Sequence, residues 1–224
     1  MKKIITTAII LILALALPAL AITNDEALTT AQTYVPSDAA YQRTETDDGL
    51  FEVKYLSADG SEEYDVKIDR RSGIVIKVER DLRDGRGSNE VVLTEDEARA
   101  LVQNLYPEAT IISLRSERDD GLYEYQASFS TEEFFGTIEL NAETGVVLEA
   151  DIYYNAAVPE GQLGYAEIMA QLESLKPGLN VIRIEFDEDD GRMRYEGEAL
   201  LDNVLYEFEI DADTGELREW EREN

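Results

Sequence analysis

Three times in this chain an Asp-Asp-Gly is followed, at one fixed offset, by a turn of the form Asp/Asn-x-x-x-Gly. The copies are Asp47-Asp48-Gly49 with Asp69 to Gly73, Asp119-Asp120-Gly121 with Asn141 to Gly145, and Asp189-Asp190-Gly191 with Asp211 to Gly215. The second turn opens 22 positions after the first Asp in every copy, and the copies lie 72 and 70 residues apart. A spacing held this tightly means that one structural unit occurs three times.

Each unit opens with a helical pattern. Thr94-Glu95-Asp96-Glu97 is a capping box, in which the Thr hydroxyl and the Glu carboxylate satisfy free N–H groups of the first turn. Behind it Ala98, Leu101, Val102 and Leu105 recur at helical spacing, and Pro107 stops the helix. Thr23, Glu26, Ala27, Leu28 and Ala31, ending at Pro36, repeat this in the first unit; Ala166, Ile168, Met169, Leu172 and Leu175, ending at Pro177-Gly178, repeat it in the third.

Four strand-like stretches follow each helix, for example 180–187, 192–200, 205–211 and 216–221. Alternation is clearest in the third stretch, where Tyr64, Val66, Ile68 and Tyr206, Phe208, Ile210 share one face while Asp65, Lys67, Glu207 and Glu209 take the other. Gly136, Ile138 and Leu140 hold those inward positions in the second unit. The expected fold is α+β: three tandem repeats, each one helix packed on an antiparallel four-stranded sheet, with water on the other face. The repeats span 22–83, 92–155 and 163–224. The turn glycines supply the positive φ that a tight hairpin needs. Asp or Asn at the start of the second turn accepts backbone hydrogen bonds.

Residues 1–21 read differently. Lys2 and Lys3 precede an apolar run from Ile4 to Leu17 and then Pro18-Ala19-Leu20-Ala21, the pattern of a secretory signal peptide with an A-x-A-like cleavage site. The implied location is extracytoplasmic: secreted, periplasmic or at the cell envelope. The leader holds two of the 20 basic residues and none of the 49 acidic ones, so the remainder carries 18 − 49 = −31. A field of that size repels nucleic acid and anionic membrane surfaces. An exported chain without cysteine relies on ordinary cores rather than disulfides.

The residue inventory also restricts chemistry. Without histidine there is no H-E-x-x-H zinc motif and no triad with an imidazole base. There is no cysteine nucleophile, G-x-S-x-G or S-x-x-K, so the chain reads as no enzyme and no resident cofactor is called for. The carboxylates offer a metal reading instead, loose calcium binding with Asp187, Asp189 and Asp190 as candidate ligands, against a plain solvated turn. Asp211-Ala212-Asp213 does not continue as an EF-hand, because Gly215, Glu216 and Arg222 fall where an oxygen ligand, Gly and Glu are required. Tyr153-Tyr154 is the candidate protein-binding pair, since exposed Tyr is favoured at interfaces.

The hairpin Tyr206-Glu207-Phe208-Glu209-Ile210-Asp211-Ala212-Asp213-Thr214-Gly215-Glu216-Leu217 resembles the PepSY domain, found in propeptides of secreted metallopeptidases and in YpeB-type spore germination proteins. Ile138 to Val147 is the same element in the second unit. Arg70-Arg71-Ser72 replaces the Ala-x-Thr of the motif in the first, where register carries the resemblance. The resemblance implies a non-catalytic module that binds an extracytoplasmic protein and inhibits or regulates a peptidase. The alternative is an acidic cell-envelope protein binding calcium through its turns.

Overall fold

The computed structural model describes residues 21–47, 49–189 and 192–223. Most of the leader, Asp48, Asp190, Gly191 and Asn224 therefore lie outside the described residues. Among the described residues no helix is long and apolar enough to cross a membrane.

The order helix then four strands occurs three times. The first set is α1 (Asn24–Ala31), β1 (Ala40–Asp47), β2 (Leu50–Leu56), β3 (Glu62–Asp69) and β4 (Val75–Leu82). The second is α2 (Glu95–Leu105), β5 (Thr110–Asp119), β6 (Leu122–Ser130), β7 (Phe134–Asn141) and β8 (Val147–Tyr154). The third is α3 (Tyr165–Leu175), β9 (Asn180–Asp189), β10 (Arg192–Leu201), β11 (Val204–Asp211) and β12 (Leu217–Arg222). The caps form as the residue types require. Glu26 and Glu97 accept the N–H of Thr23 and Thr94 at 2.8 Å, and the threonine hydroxyls accept the N–H of Glu26 and Glu97 at 3.3 Å. At α3 the cap residue is Gly164, so only the Glu167 half of the exchange exists, at 2.9 Å.

The second turns are alike in all three units. Asp69, Asn141 and Asp211 each accept from the two backbone N–H groups two and three residues on, at 2.6–3.1 Å. Gly73, Gly145 and Gly215 close the turns at φ +74°, +71° and +69°.

The expectation of three separate sheets is corrected by the pairing of β4 with β8. The first two units share one eight-stranded antiparallel sheet, ordered β1-β2-β3-β4-β8-β7-β6-β5, and the third keeps its own, ordered β12-β11-β10-β9. The junction has local two-fold symmetry. Glu79 and Asp151, equivalent under the 72-residue repeat, pair with each other, flanked by Lys77↔Tyr153 and Asp81↔Glu149. Two fourth strands can meet this way because antiparallel pairing lets a single edge serve both partners identically.

Both helices of the large sheet pack on one face. Ala27, Ala31, Val53, Val66 and Ile68 form the first core beneath α1, and Ala98, Val102, Ala127, Ile138 and Leu140 the second beneath α2. Water was expected across the whole opposite face, and over the second unit it is replaced by the third. Phe135 and Tyr153, on that face, join the core of the third unit with Tyr165, Ile168, Leu172, Tyr195 and Phe208. Ser113 and Ser128 lie 2.7 Å apart beside them, and their hydroxyls reach the carbonyls of Ile182 (3.4 Å) and Val181 (3.3 Å). The bare edge of β9 is thereby covered by hydroxyls rather than left to water.

Candidate protein-binding surfaces

Strand alternation gives the eight-stranded sheet a polar outer face, and the first unit concentrates its cations there. Lys54 pairs with Asp65 at 2.7 Å, Lys67 with Glu79 at 3.3 Å, and Lys77 with both Glu79 (2.6 Å) and Asp151 (3.0 Å). Lys77 thus sits over the β4–β8 junction, where its Nζ also lies 4.9 Å from the centre of the Tyr153 ring. Burial opposes its charge, but Tyr153, Asp151 and Glu79 outweigh burial and hold its pKa above the usual lysine value. The one ammonium does not satisfy every carboxylate at this junction. Glu149 is pushed up to about 7, first by burial and then by Asp151, Glu139 and Asp81. Asp81 is raised by burial and by Glu79.

The two tyrosines singled out in the sequence face opposite sides, as neighbours on a strand must. Tyr153 is 3 % exposed on the outer face and stacks on Phe135, with ring centres 5.3 Å apart. Phe135 stacks in turn on Tyr165 at 4.5 Å, so this pair is a contact between the second and third units of the chain itself. Tyr154 is half-buried on the helix face, 5.1 Å from Tyr34 and 5.9 Å from Phe134, at the junction of the first two units.

The candidate calcium ligands are only partly defined. Asp187 is exposed and accepts from Arg194 at 3.3 Å. The backbone of Asp189 ends β9, and Asp190 lies outside the described residues. Among the described residues no group of three or more Asp or Glu is arranged to hold a metal ion. On the outer face of the four-stranded sheet, Glu185, Glu196, Glu198, Glu207, Glu209 and Glu219 surround Arg183 in a concavity of about 280 Å³.

Four strands end the two sheets, β1 and β5 in the large one and β12 and β9 in the small one, and the edge of β9 is the one covered by Ser113 and Ser128. β1 is exposed along nearly its whole length, and its pairing with β2 is interrupted by a bulge between Tyr41 and Arg43. β12 is regular between Glu219 and Arg222 and carries Glu219, Trp220, Glu221 and Arg222, with Trp220 stacked on Tyr206 at 4.6 Å and capped by the Lys176 ammonium at 4.5 Å. Lys77 and Phe135 were missed by motif reading. The scarcity of lysine after the leader, only Lys54, Lys67, Lys77 and Lys176, was the available signal for the first.

A capped helix followed by a four-stranded antiparallel meander with an Asp/Asn-x-x-x-Gly hairpin, repeated along the chain, defines the class. The chain belongs to the PepSY family, "Peptidase propeptide and YPEB domain", whose profile matches residues 92–151 and 162–221, the second and third units. Among solved structures it is similar to the C-terminal domain of Bacillus megaterium YpeB, with 13 % identity, 91 % of this chain and 99 % of that chain covered, and a TM-score of 0.38. It is also similar to a protein described as a lipoprotein of Clostridium difficile 630, with 18 % identity, 61 % and 100 % covered, and a TM-score of 0.27. No curated protein matches the chain significantly.

Proposed function

We propose that this chain is a non-catalytic, extracytoplasmic protein-binding module that inhibits or regulates a peptidase, and that its first unit, residues 22–83, is a third PepSY repeat. Family membership carries the functional reading, because the family is described by its occurrence in peptidase propeptides. The first unit has the same element order and the same Asp–Gly turn, with Asp69 and Gly73 bonded like Asn141 and Gly145. Binding through sheet surfaces or edges suits a molecule many of whose carboxylates are tied to turns and ion pairs. The chain from Ile22 onward, added to peptidases secreted by its source organism, is expected to capture one of them and slow its hydrolysis of casein, saturating at one chain per enzyme. Capture without any change in hydrolysis refutes regulation, and no capture refutes the reading altogether.

Calcium binding at Asp187, Asp189 and Asp190 is the second reading, resting on the run of carboxylates from Asp187 to Asp190 in the sequence. Micromolar binding in calorimetry that is lost when all three become Ala supports it; equal heats from both proteins refute it.

A further inference from the structure

The chain already shows how a PepSY sheet receives another strand: fourth strand against fourth strand, antiparallel, centred on Glu79 and Asp151. The 70-residue repeat makes Glu221 the equivalent of Asp151 and β12 the equivalent of β8. The receiving edge of β12 is unpaired. Its direction follows from one hydrogen bond, since Glu223 donates its N–H to Leu205 at 3.1 Å. Alternation then turns the N–H and C=O of Glu221 toward β11 and those of Trp220 and Arg222 toward the open side.

We propose that β12 is a docking edge that accepts an antiparallel β-strand of a separate protein, one carrying basic side chains at alternate positions. This rests on the protein-binding reading above and specifies its surface. In the β4–β8 register the incoming strand would set three side chains opposite Glu219, Glu221 and Glu223. At the internal junction Lys77 occupies one such position and neutralises its neighbours, whereas the third unit has Glu219 at the place equivalent to Glu149 and no lysine on that face. A second copy would bring three more carboxylates to the same line, and directly opposed like charges destabilise a strand pair. A basic strand removes that conflict. On the other face its side chains lie beside Arg222 and the edge of Trp220, whose ring is already held between Tyr206 and Lys176.

The test uses the chain from Ile22 onward and a synthetic peptide of residues 75–82 with Glu79→Lys and Asp81→Lys, which puts three lysines opposite Glu223, Glu221 and Glu219. Binding is expected, with new hydrogen-exchange protection at the amides of Trp220 and Arg222. The unaltered 75–82 peptide is expected to bind at least about tenfold more weakly. Arg222→Pro removes an outward N–H without touching the β11 ladder and is expected to weaken the lysine peptide at least about tenfold. A Glu219→Lys, Glu221→Lys variant, which leaves the backbone alone, is expected to reverse the preference between the two peptides. No binding, or affinity unchanged by both variants, overturns the proposal. So does a wild-type dimer in sedimentation that Arg222→Pro converts to monomer, since the occupant is then a second copy. A captured peptidase still inhibited by Arg222→Pro overturns the edge proposal and leaves regulation standing; edge binding of the peptide without any captured peptidase does the reverse.

Discussion

Phe135→Ala is expected to separate the third unit from the rest of the molecule. The ring is 1 % exposed and lies on the outer face of β7, outside the core beneath α2. It is clasped by Tyr153 at 5.3 Å and Tyr165 at 4.5 Å, with Tyr195 at 6.1 Å. Truncating a buried Phe costs about 3–5 kcal/mol, and each stacked pair adds about 0.5–1.5 kcal/mol beyond area. A unit of roughly 60 residues has only about 3–9 kcal/mol of stability at typical per-residue values. Most of what ties the third unit to its neighbour therefore disappears with this one ring.

The assay is built into the chain. Its single tryptophan, Trp220, sits on β12, so its fluorescence reports the third unit while far-UV circular dichroism reports all three. In urea the wild-type curves should coincide. For a unit this small m is about 1 kcal/mol/M, so a loss of about 3 kcal/mol moves the fluorescence midpoint about 3 M below the dichroism midpoint of the remaining units. Coincident curves in the variant, or a shift below about 1 M, refute the assignment of Phe135 as the principal tie.

Glu149→Gln tests the crowded junction. The folded protein holds a proton on Glu149 up to about pH 7, while the unfolded chain releases it near 4.5, the ordinary glutamate value. Stability therefore falls as pH rises between those values, and the penalty is fully present above them. The variant should melt higher than wild type at pH 8 and equally at pH 4; an equal gain at both values refutes the electrostatic origin. Lys77→Met leaves Glu79 and Asp151 without their shared cation and should cost about 3 kcal/mol at pH 7. Denaturation should recover much of that loss near pH 4, and no recovery would mean that packing of the lysine stem, not charge, was lost. Gly145→Val combines a left-handed backbone with a Cβ placed 2.4 Å from Leu101 Cδ1, so the cost should reach the upper end of about 1–3 kcal/mol or exceed it. An unchanged urea midpoint sinks that account.

Element type, order and turn chemistry were legible because each is written locally. Thr94 and Glu97 cap a helix wherever it packs, and Asp211 with Gly215 closes the same turn in any context. The pairing of β4 with β8 was not legible, since the residues at that edge, Lys77, Glu79 and Arg80, read as an ordinary solvated strand. What makes the edge usable is Lys77 meeting an Asp 74 residues away, and alternation within one strand carries no record of a distant partner. The tyrosine pair shows the same limit. Composition marks Tyr153 and Tyr154 as contact residues, but only the sheet reveals that one ring faces the third unit and the other the first.

The repeat itself could have exposed the docking face, if outward positions are compared across units. Phe135 and Tyr153, which pair across β7 and β8, are equivalent to Glu63 and Asp81 in the first unit, which pair across β3 and β4. In the third unit the same places hold Leu205 and Glu223. Only the second unit has two aromatic rings there, and only the second unit carries another unit on its outer face. Thr137 beside them replaces Asp65 and Glu207. A pair of carboxylates in that position would have to be desolvated without a partner, at a cost of several kcal/mol for each ion, so the first and third units keep their outer faces for water. Stacking a further unit on the sheet of the third unit is blocked by the same kind of charge. Extension from the third unit is thus left to hydrogen bonding along β12, where carboxylates at the rim stay hydrated and select a partner of opposite charge.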